Sequence, residues 1–319
     1  MGRDHAVTAG PTPLTLIAGY LGAGKTTLVN QLLRQADGLR IAVLVNDFGD
    51  IDIDAELVVA RDGPVISLAG GCVCCSFGSD LIGALVDLVG PSRRIDHIVV
   101  EASGVGLPAA IAHSVALLPE LRFDGTVLVA DAESVRTHAE DRYVGELVRE
   151  QLCQADLLVL NNADLRDANA LQDVRAWLAT LAPGVPVLES VHAQLPPALV
   201  LGSHASTPNR DRARHEPSTD DASARFVSRA YRVHSGADAR ALARALAETP
   251  MGIVRAKGLV TTADGMRRAL HVVGRRHALA PAPQAGPAAS GRLVLIVLRE
   301  RFDAAALDAL LASHGAVPS

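Results

Sequence analysis

The sequence predicts a doubly wound, mostly parallel α/β sheet followed by a smaller C-terminal α+β domain. Three observations lead there. Apolar runs of strand length alternate with segments of helical spacing over residues 14–188, which implies crossover units and a parallel sheet. Several of these runs end in polar or acidic residues, where such a sheet places its ligands. Residues 202–224 then lose any apolar period and fill with Ser, Pro, Asp, Arg and Ala, so they read as a linker to a second, shorter set of elements.

In chain order, residues 1–12 read as a flexible leader and residues 13–201 as the first domain. Residues 14–18 form an apolar strand, and 28–33 carry the i, i+3, i+4 spacing of a helix. Strands follow at 40–45, 64–68, 96–100, 126–130, 156–160 and 185–188, with helices over 81–89, 142–154 and 168–181 between them. The second domain, 225–319, carries strands at 226–233, 252–260, 269–273 and 292–298, helices at 237–247 and 303–311, and a Pro/Ala loop over 280–290. Cys153 and Trp177 fall on helices as expected core residues, and His97, His271 and His277 read as structural or solvated.

Composition narrows the function classes. Aromatic residues are 3% of the 319 and the net charge is −5, which argues against a nucleic-acid-coating surface and against base-stacking platforms. No apolar stretch approaches the roughly 20 residues of a membrane span. Residues 1–12 lack a hydrophobic signal core, so the expected location is the cytoplasm, without a membrane or nucleic-acid partner.

Gly19–Thr27 matches G-x-x-x-x-G-K-[ST], with Gly19, Gly24, Lys25 and Thr26 at its fixed positions. Glycines let the backbone curl and aim N–H groups at a phosphate, so Gly22, Ala23, Gly24, Lys25, Thr26 and Thr27 are the expected cradle of a nucleoside triphosphate. Lys25 would reach the β- and γ-phosphates, and the Thr26 hydroxyl would ligate Mg²⁺. Only Lys25 and Lys257 are lysines in a chain that otherwise uses arginine, so a compact ammonium is wanted at position 25.

A second cluster is Gly70-Gly71-Cys72-Val73-Cys74-Cys75. Three thiols this close suit a thiolate-bound transition metal, Zn²⁺ foremost; buried small residues or a redox pair are the alternatives. The loop Asn46–Asp54 ends a strand and carries Asp47 and Asp50, which suit Mg²⁺, a water or a transferred metal, or else an ordinary acidic surface loop. Glu101 ends another strand, where an acid beside the γ-phosphate belongs.

These stretches, with Glu101–Gly104, Gln151–Leu165 and Val254-Arg255-Ala256-Lys257-Gly258, resemble the CobW-like metal-handling P-loop GTPases over nearly the whole chain. The resemblance implies a slow GTPase that uses GTP, Mg²⁺ and Zn²⁺ or Co²⁺, with Lys25, Asp47 and Glu101 as catalytic residues and Cys72, Cys74 and Cys75 as metal ligands. It would deliver the ion to a client metalloprotein or a metal-cofactor biosynthesis enzyme, with a homodimer among the assemblies open to it. The guanine-reading Asn-Lys-x-Asp of the family is Asn161-Asn162-Ala163-Asp164 here. Asp164 would still read guanine and Asn161 would still hold the loop, while the backbone near Val191 would meet the base. Asp47 stands where the family has glutamate, and the linker holds only His204 and His215 where the family is often histidine-rich. Two other readings stay open: an ATP-dependent P-loop small-molecule kinase, and a metal-binding module with a vestigial nucleotide site.

Overall fold

In the computed structural model, residues 11–35, 38–45, 65–67, 77–90, 95–202, 225–282 and 291–319 are described. The loop with Asp47, the cluster Cys72, Cys74 and Cys75, and linker residues 203–224 lie outside them.

Ile41–Val45 is apolar at every position and Leu157–Asn161 at every position but the last, because strands of a parallel sheet are buried on both faces. Seven such strands form the first sheet: β1 Thr12–Ala18, β2 Ile41–Val45, β3 Val65–Ser67, β4 His97–Glu101, β5 Leu121–Asp131, β6 Leu157–Asn161 and β7 Val187–Glu189. Their order is β3-β2-β4-β1-β5-β6-β7, and every pairing among them is parallel. The helices are α1 Lys25–Arg34, α2 Phe77–Leu88, α3 Pro108–Ala116, α4 Val135–Glu140, α5 Gly145–Cys153, α6 Ala168–Leu181 and α7 Pro197–Leu201.

The C-terminal domain is an antiparallel sheet of β8 Phe226–Val233, β9 Ile253–Thr261, β10 Arg267–Val273, β11 Arg276–Pro281, β12 Gly291–Leu298 and β13 Ala316–Pro318, with α8 Ala239–Glu248 and α9 Ala304–Ser313. The two helices cover one face through Leu242, Leu246, Leu307 and Leu311, against Tyr231, Val233, Leu270, Leu293 and Leu295.

Several elements depart from the sequence reading. Helices α3, α4 and α7 and strands β11 and β13 carry no clear amphipathic period and were not expected. Residues read as the start of a Pro/Ala loop extend β11, where Ala280 pairs with Ala269. β5 runs five residues further back than expected, to Leu121, because its first half pairs with the start of β1. Trp177 is half-buried against the core. Cys153 is exposed, because α5 turns Val148, Gln151 and Leu152 inward and the next residue is rotated by about 100°.

The two faces of the parallel sheet are covered differently. One packs on α2 to α6 through residues such as Leu81, Ile111, Val148 and Leu178. The other packs on α1, on α7 through Leu199 to Leu201, and on Val254, Val273 and Leu298 of the C-terminal domain, so one apolar core crosses both domains.

A polar seam is buried beside that core. Between β1 and β5 the register skips Asp124: Leu14 faces Phe123 and Thr15 faces Gly125. The bulge frees Asp124, 4% exposed, to pair with the buried guanidinium of Arg255 from β9. Arg255 Nη1 also donates to the carbonyls of Leu199 at 3.2 Å and Val200 at 2.6 Å. Arg122 reaches Asp124 at 3.2 Å. Burial alone would raise the Asp124 carboxyl, but Arg255 and Arg122 outweigh it and hold it far below the usual range. His97 and Thr15 extend the seam, 2.9 Å apart and both buried.

Asp124→Asn would keep the shape and leave Arg255 buried without its counter-charge; urea unfolding is expected to show a loss of about 3–5 kcal/mol. Lys257, close to this pair, is driven by desolvation from 10.5 down to about 8, with Asp124 opposing and Arg255 and Arg122 adding to the fall. The folded chain therefore releases this proton first, and over about pH 8 to 10.5 the unfolded state binds more protons, so stability rises with pH in that window. Urea midpoints of wild type are expected to gain on those of Lys257→Met across it.

Candidate functional site

The C-terminal ends of β1, β4, β5 and β6 converge at one edge of the parallel sheet. β1 delivers Gly19 to Gly24, and α1 begins at Lys25. Gly24 caps that helix at φ 100°, and no side chain caps its first turn, so the backbone N–H groups of this turn are presented to an anion. A Cβ at Gly24 would stand 2.4 Å from Asn161 Nδ2, and one at Gly19 2.1 Å from the Val129 carbonyl oxygen, so both glycines are required by close packing as well as by their positive φ.

Lys25 is 7% exposed, and its Nζ donates to the Tyr20 carbonyl at 3.3 Å, curled back over its own loop. Thr26 Oγ1 donates to Glu101 Oε1 at 2.7 Å, which brings the loop hydroxyl and the strand-end acid together. Glu101 is 2% exposed at the end of β4. Gly22 and Thr27 are exposed, and Ala23 is buried.

The second wall is built on Asn161, the last residue of β6. Its Nδ2 donates to the Ala23 carbonyl at 3.1 Å; its Oδ1 accepts from Ser190 Oγ at 3.1 Å and from the Ala193 amide at 2.7 Å. One buried side chain thus joins the Gly-rich loop to the segment after β7. The Ala163 amide donates to the Ser190 carbonyl at 3.1 Å, which sets the short 3₁₀ turn Ala163–Leu165, with Asp164 exposed, beside Val191.

Sequence reasoning missed two supports. Gln151, 1% exposed on α5, donates to the carbonyls of Gly104 at 3.1 Å and Gly106 at 2.8 Å, tethering the loop after Glu101. An amide in an apolar helical stripe was the available signal. Asp131, at the end of β5, accepts from Asn162 Nδ2 at 2.9 Å and from the amide and hydroxyl of Ser134. Asn162 sits at φ 57°, a left-handed conformation that asparagine tolerates better than most residues.

The structure therefore brings together Lys25, Thr26, Glu101, Asn161, Asp164 and Val191. Asp47, Cys72, Cys74 and Cys75 lie outside the described residues. Among the described residues no group of three or more His, Cys, Asp or Glu side chains is gathered as a metal site. Also among them, no helix is long and apolar enough to cross a membrane.

The sequence profile described as CobW/HypB/UreG, nucleotide-binding domain, matches residues 13–189. The chain belongs to the CobW/HypB/UreG family. The profile of the cobalamin synthesis protein cobW C-terminal domain matches residues 226–314. The zinc chaperone CobW of Sinorhizobium sp is 33% identical over 227 residues, 62% of this chain and 64% of that protein. Its namesake in Pseudomonas aeruginosa is 34% identical over 231 residues, 62% of this chain and 61% of that protein. The zinc chaperone YjiA of Escherichia coli is 27% identical over 267 residues, 78% of this chain and 82% of that protein. The chain thus spans less than two thirds of the length of the two CobW proteins. In this CobW-family chain Asn162 Nδ2 donates to the Asp131 carboxylate.

Gln151→Met would leave the Gly104 and Gly106 carbonyls without their donor. Hydrogen exchange is expected to speed up in the amides of residues 102–106, with a stability loss of about 1–3 kcal/mol.

Proposed function

We propose that the chain is a GTP-hydrolysing metallochaperone that carries zinc, or cobalt, to a client metalloprotein or metal-cofactor pathway. The observation that supports this reading is the bond from Asn161 to the Ala23 carbonyl, which ties the strand end leading into the Ala163–Leu165 turn to the Gly-rich loop. A guanine nucleotide would lie across it, phosphates on the first turn of α1 and base at Asp164, whose carboxylate accepts from the guanine N1 and N2 groups. The backbone near Val191 would close over the base. Lys25 would exchange its contact with the Tyr20 carbonyl for the β- and γ-phosphates.

Thr26 and Glu101 offer hard oxygen donors 2.7 Å apart at the phosphate end, a set that fits Mg²⁺, which would neutralise phosphate charge there. Catalysis would otherwise rest on positioning: Lys25 and the loop amides stabilise charge on the transferred phosphoryl group, and Gln151 keeps the loop after Glu101 in place. The cargo zinc would be held by thiolates of Cys72, Cys74 and Cys75, whose softness suits that ion. Support for this cargo comes from similar proteins whose names specify zinc chaperones. Asp47 would sense the γ-phosphate, so that triphosphate and metal sites order together and hydrolysis releases the ion.

Zinc titration of the reduced protein is expected to give different affinities with GTP, with GDP and without nucleotide; equal affinity in all three would remove the coupling. GTP is expected to bind in preference to ATP, and Asp164→Ala to weaken GTP by about 10- to 100-fold while leaving ATP unchanged. Equal binding of both nucleotides to wild type would favour the kinase reading. Lys25→Ala is expected to lower turnover by about a hundredfold or more, read by phosphate release.

A further inference from the structure

A second group of cations lies at the polar seam, away from the nucleotide groove. Arg122, Arg255, Lys257 and His271 all act on the single carboxylate of Asp124 or on one another. That carboxylate is already used: Arg255 pairs with it, and Arg122 reaches it at 3.2 Å. Lys257 is left over. Among the described residues no group accepts a hydrogen bond from its ammonium, and Asp124 is the only negative charge acting on it.

His271 faces Lys257 directly across the β9–β10 pair. It is 8% exposed, and its Nε2 has no hydrogen-bond partner among the described residues. Burial, with Arg122 and Lys257 adding to it, keeps the imidazole neutral, so in the Nε2–H tautomer it is a donor without an acceptor. Three fixed cations against one carboxylate, beside an idle buried imidazole, is an unfavourable arrangement unless further negative charge is supplied.

We propose that Lys257, Arg122 and His271 form a receptor for one oxyanion, a carboxylate or a phosphate, at the seam between the two domains. The oxyanion accepts from the Lys257 ammonium and from His271 Nε2–H and balances the cluster. Access is from the part of the C-terminal sheet that is exposed among the described residues. Two residues along from Lys257 on the same face, Leu259 lies beside Arg292, which in turn pairs with Arg232. Both arginines are exposed and would draw an anion towards the site. Residue choice agrees: the chain keeps lysine only at Lys25, in the phosphate loop, and at Lys257. A compact ammonium suits point contact with an oxyanion, whereas an arginine fork demands a planar partner.

Two lysines allow a direct test. The full chain labelled with ¹³C at the lysine ε-carbon gives two side-chain signals, assigned with Lys257→Met. Sodium phosphate and sodium acetate are titrated separately at an ionic strength held constant with chloride, with GDP present throughout. The expected result is a saturable shift of the Lys257 signal with at least one anion, weakened in Arg122→Gln. Tighter phosphate binding assigns a phosphate ligand; tighter acetate binding assigns a carboxylate, the chemistry of an acidic side chain on a partner. A Lys257 signal that follows the chloride control with both anions overturns the proposal. The Lys25 signal, compared before and after GDP is added, reports separately on the nucleotide site, so failure of one reading is distinguishable from failure of the other.

Discussion

A parallel sheet cannot leave a face in water, and the architecture of this chain follows from how its second face is covered. Five helices cover the first face. Among the described residues the second has only the helices α1 and the single-turn α7, which leaves apolar strand surface around Val127, Val129 and Val159 open to another element. The C-terminal domain fills that place with Val254, Val273 and Leu298. Its docking is part of the core of the first domain, and truncation before residue 225 would expose that face.

Polar groups at the seam are a consequence of this docking. Two sheets meeting with strand surfaces in contact bury whatever charge lies on the facing strands, and the bulge at Asp124 supplies the counter-ion for Arg255. β1 then links two environments. Thr15 lies at the seam, within hydrogen-bond distance of His97 and of the Val200 carbonyl, and three residues after it the strand ends at Ala18 and opens into the Gly-rich loop. The Gly-rich loop and the domain seam are thus served by one short, fully paired strand.

At the groove, the buried amide of Asn161 meets three partners from two loops, using both its donor and its acceptor. Such saturation makes the junction geometrically strict, since any displacement leaves a buried polar atom unmet. The Asn162 amide reaches Asp131, which is also held by Ser134. That bond stiffens the turn carrying Asp164.

Much of this was legible in the residues, and the exceptions have physical causes. Gly19–Thr27 announces a strand, a loop and a helix because left-handed glycines, a lysine and a hydroxyl are required together in few other settings. The helix at Ala168–Leu181 was bounded correctly because its apolar period is strong and Asp167 caps it, accepting from the amides of Asn169 and Ala170. Helix α3 was invisible because its apolar residues run around much of its surface, and β11 because its alanines and proline lack β-branched signal. Local sequence determined the elements and the chemistry of the phosphate loop, since both depend on residues within a few positions of one another. Only the tertiary structure decided that Asp124 meets Arg255 across 131 positions, that Asn161 meets Ala23 across 138, and that Gln151 tethers the loop after Glu101. Those partners are chosen by the packing of the two sheets and their helices, and nothing in the spacing along the chain encodes it.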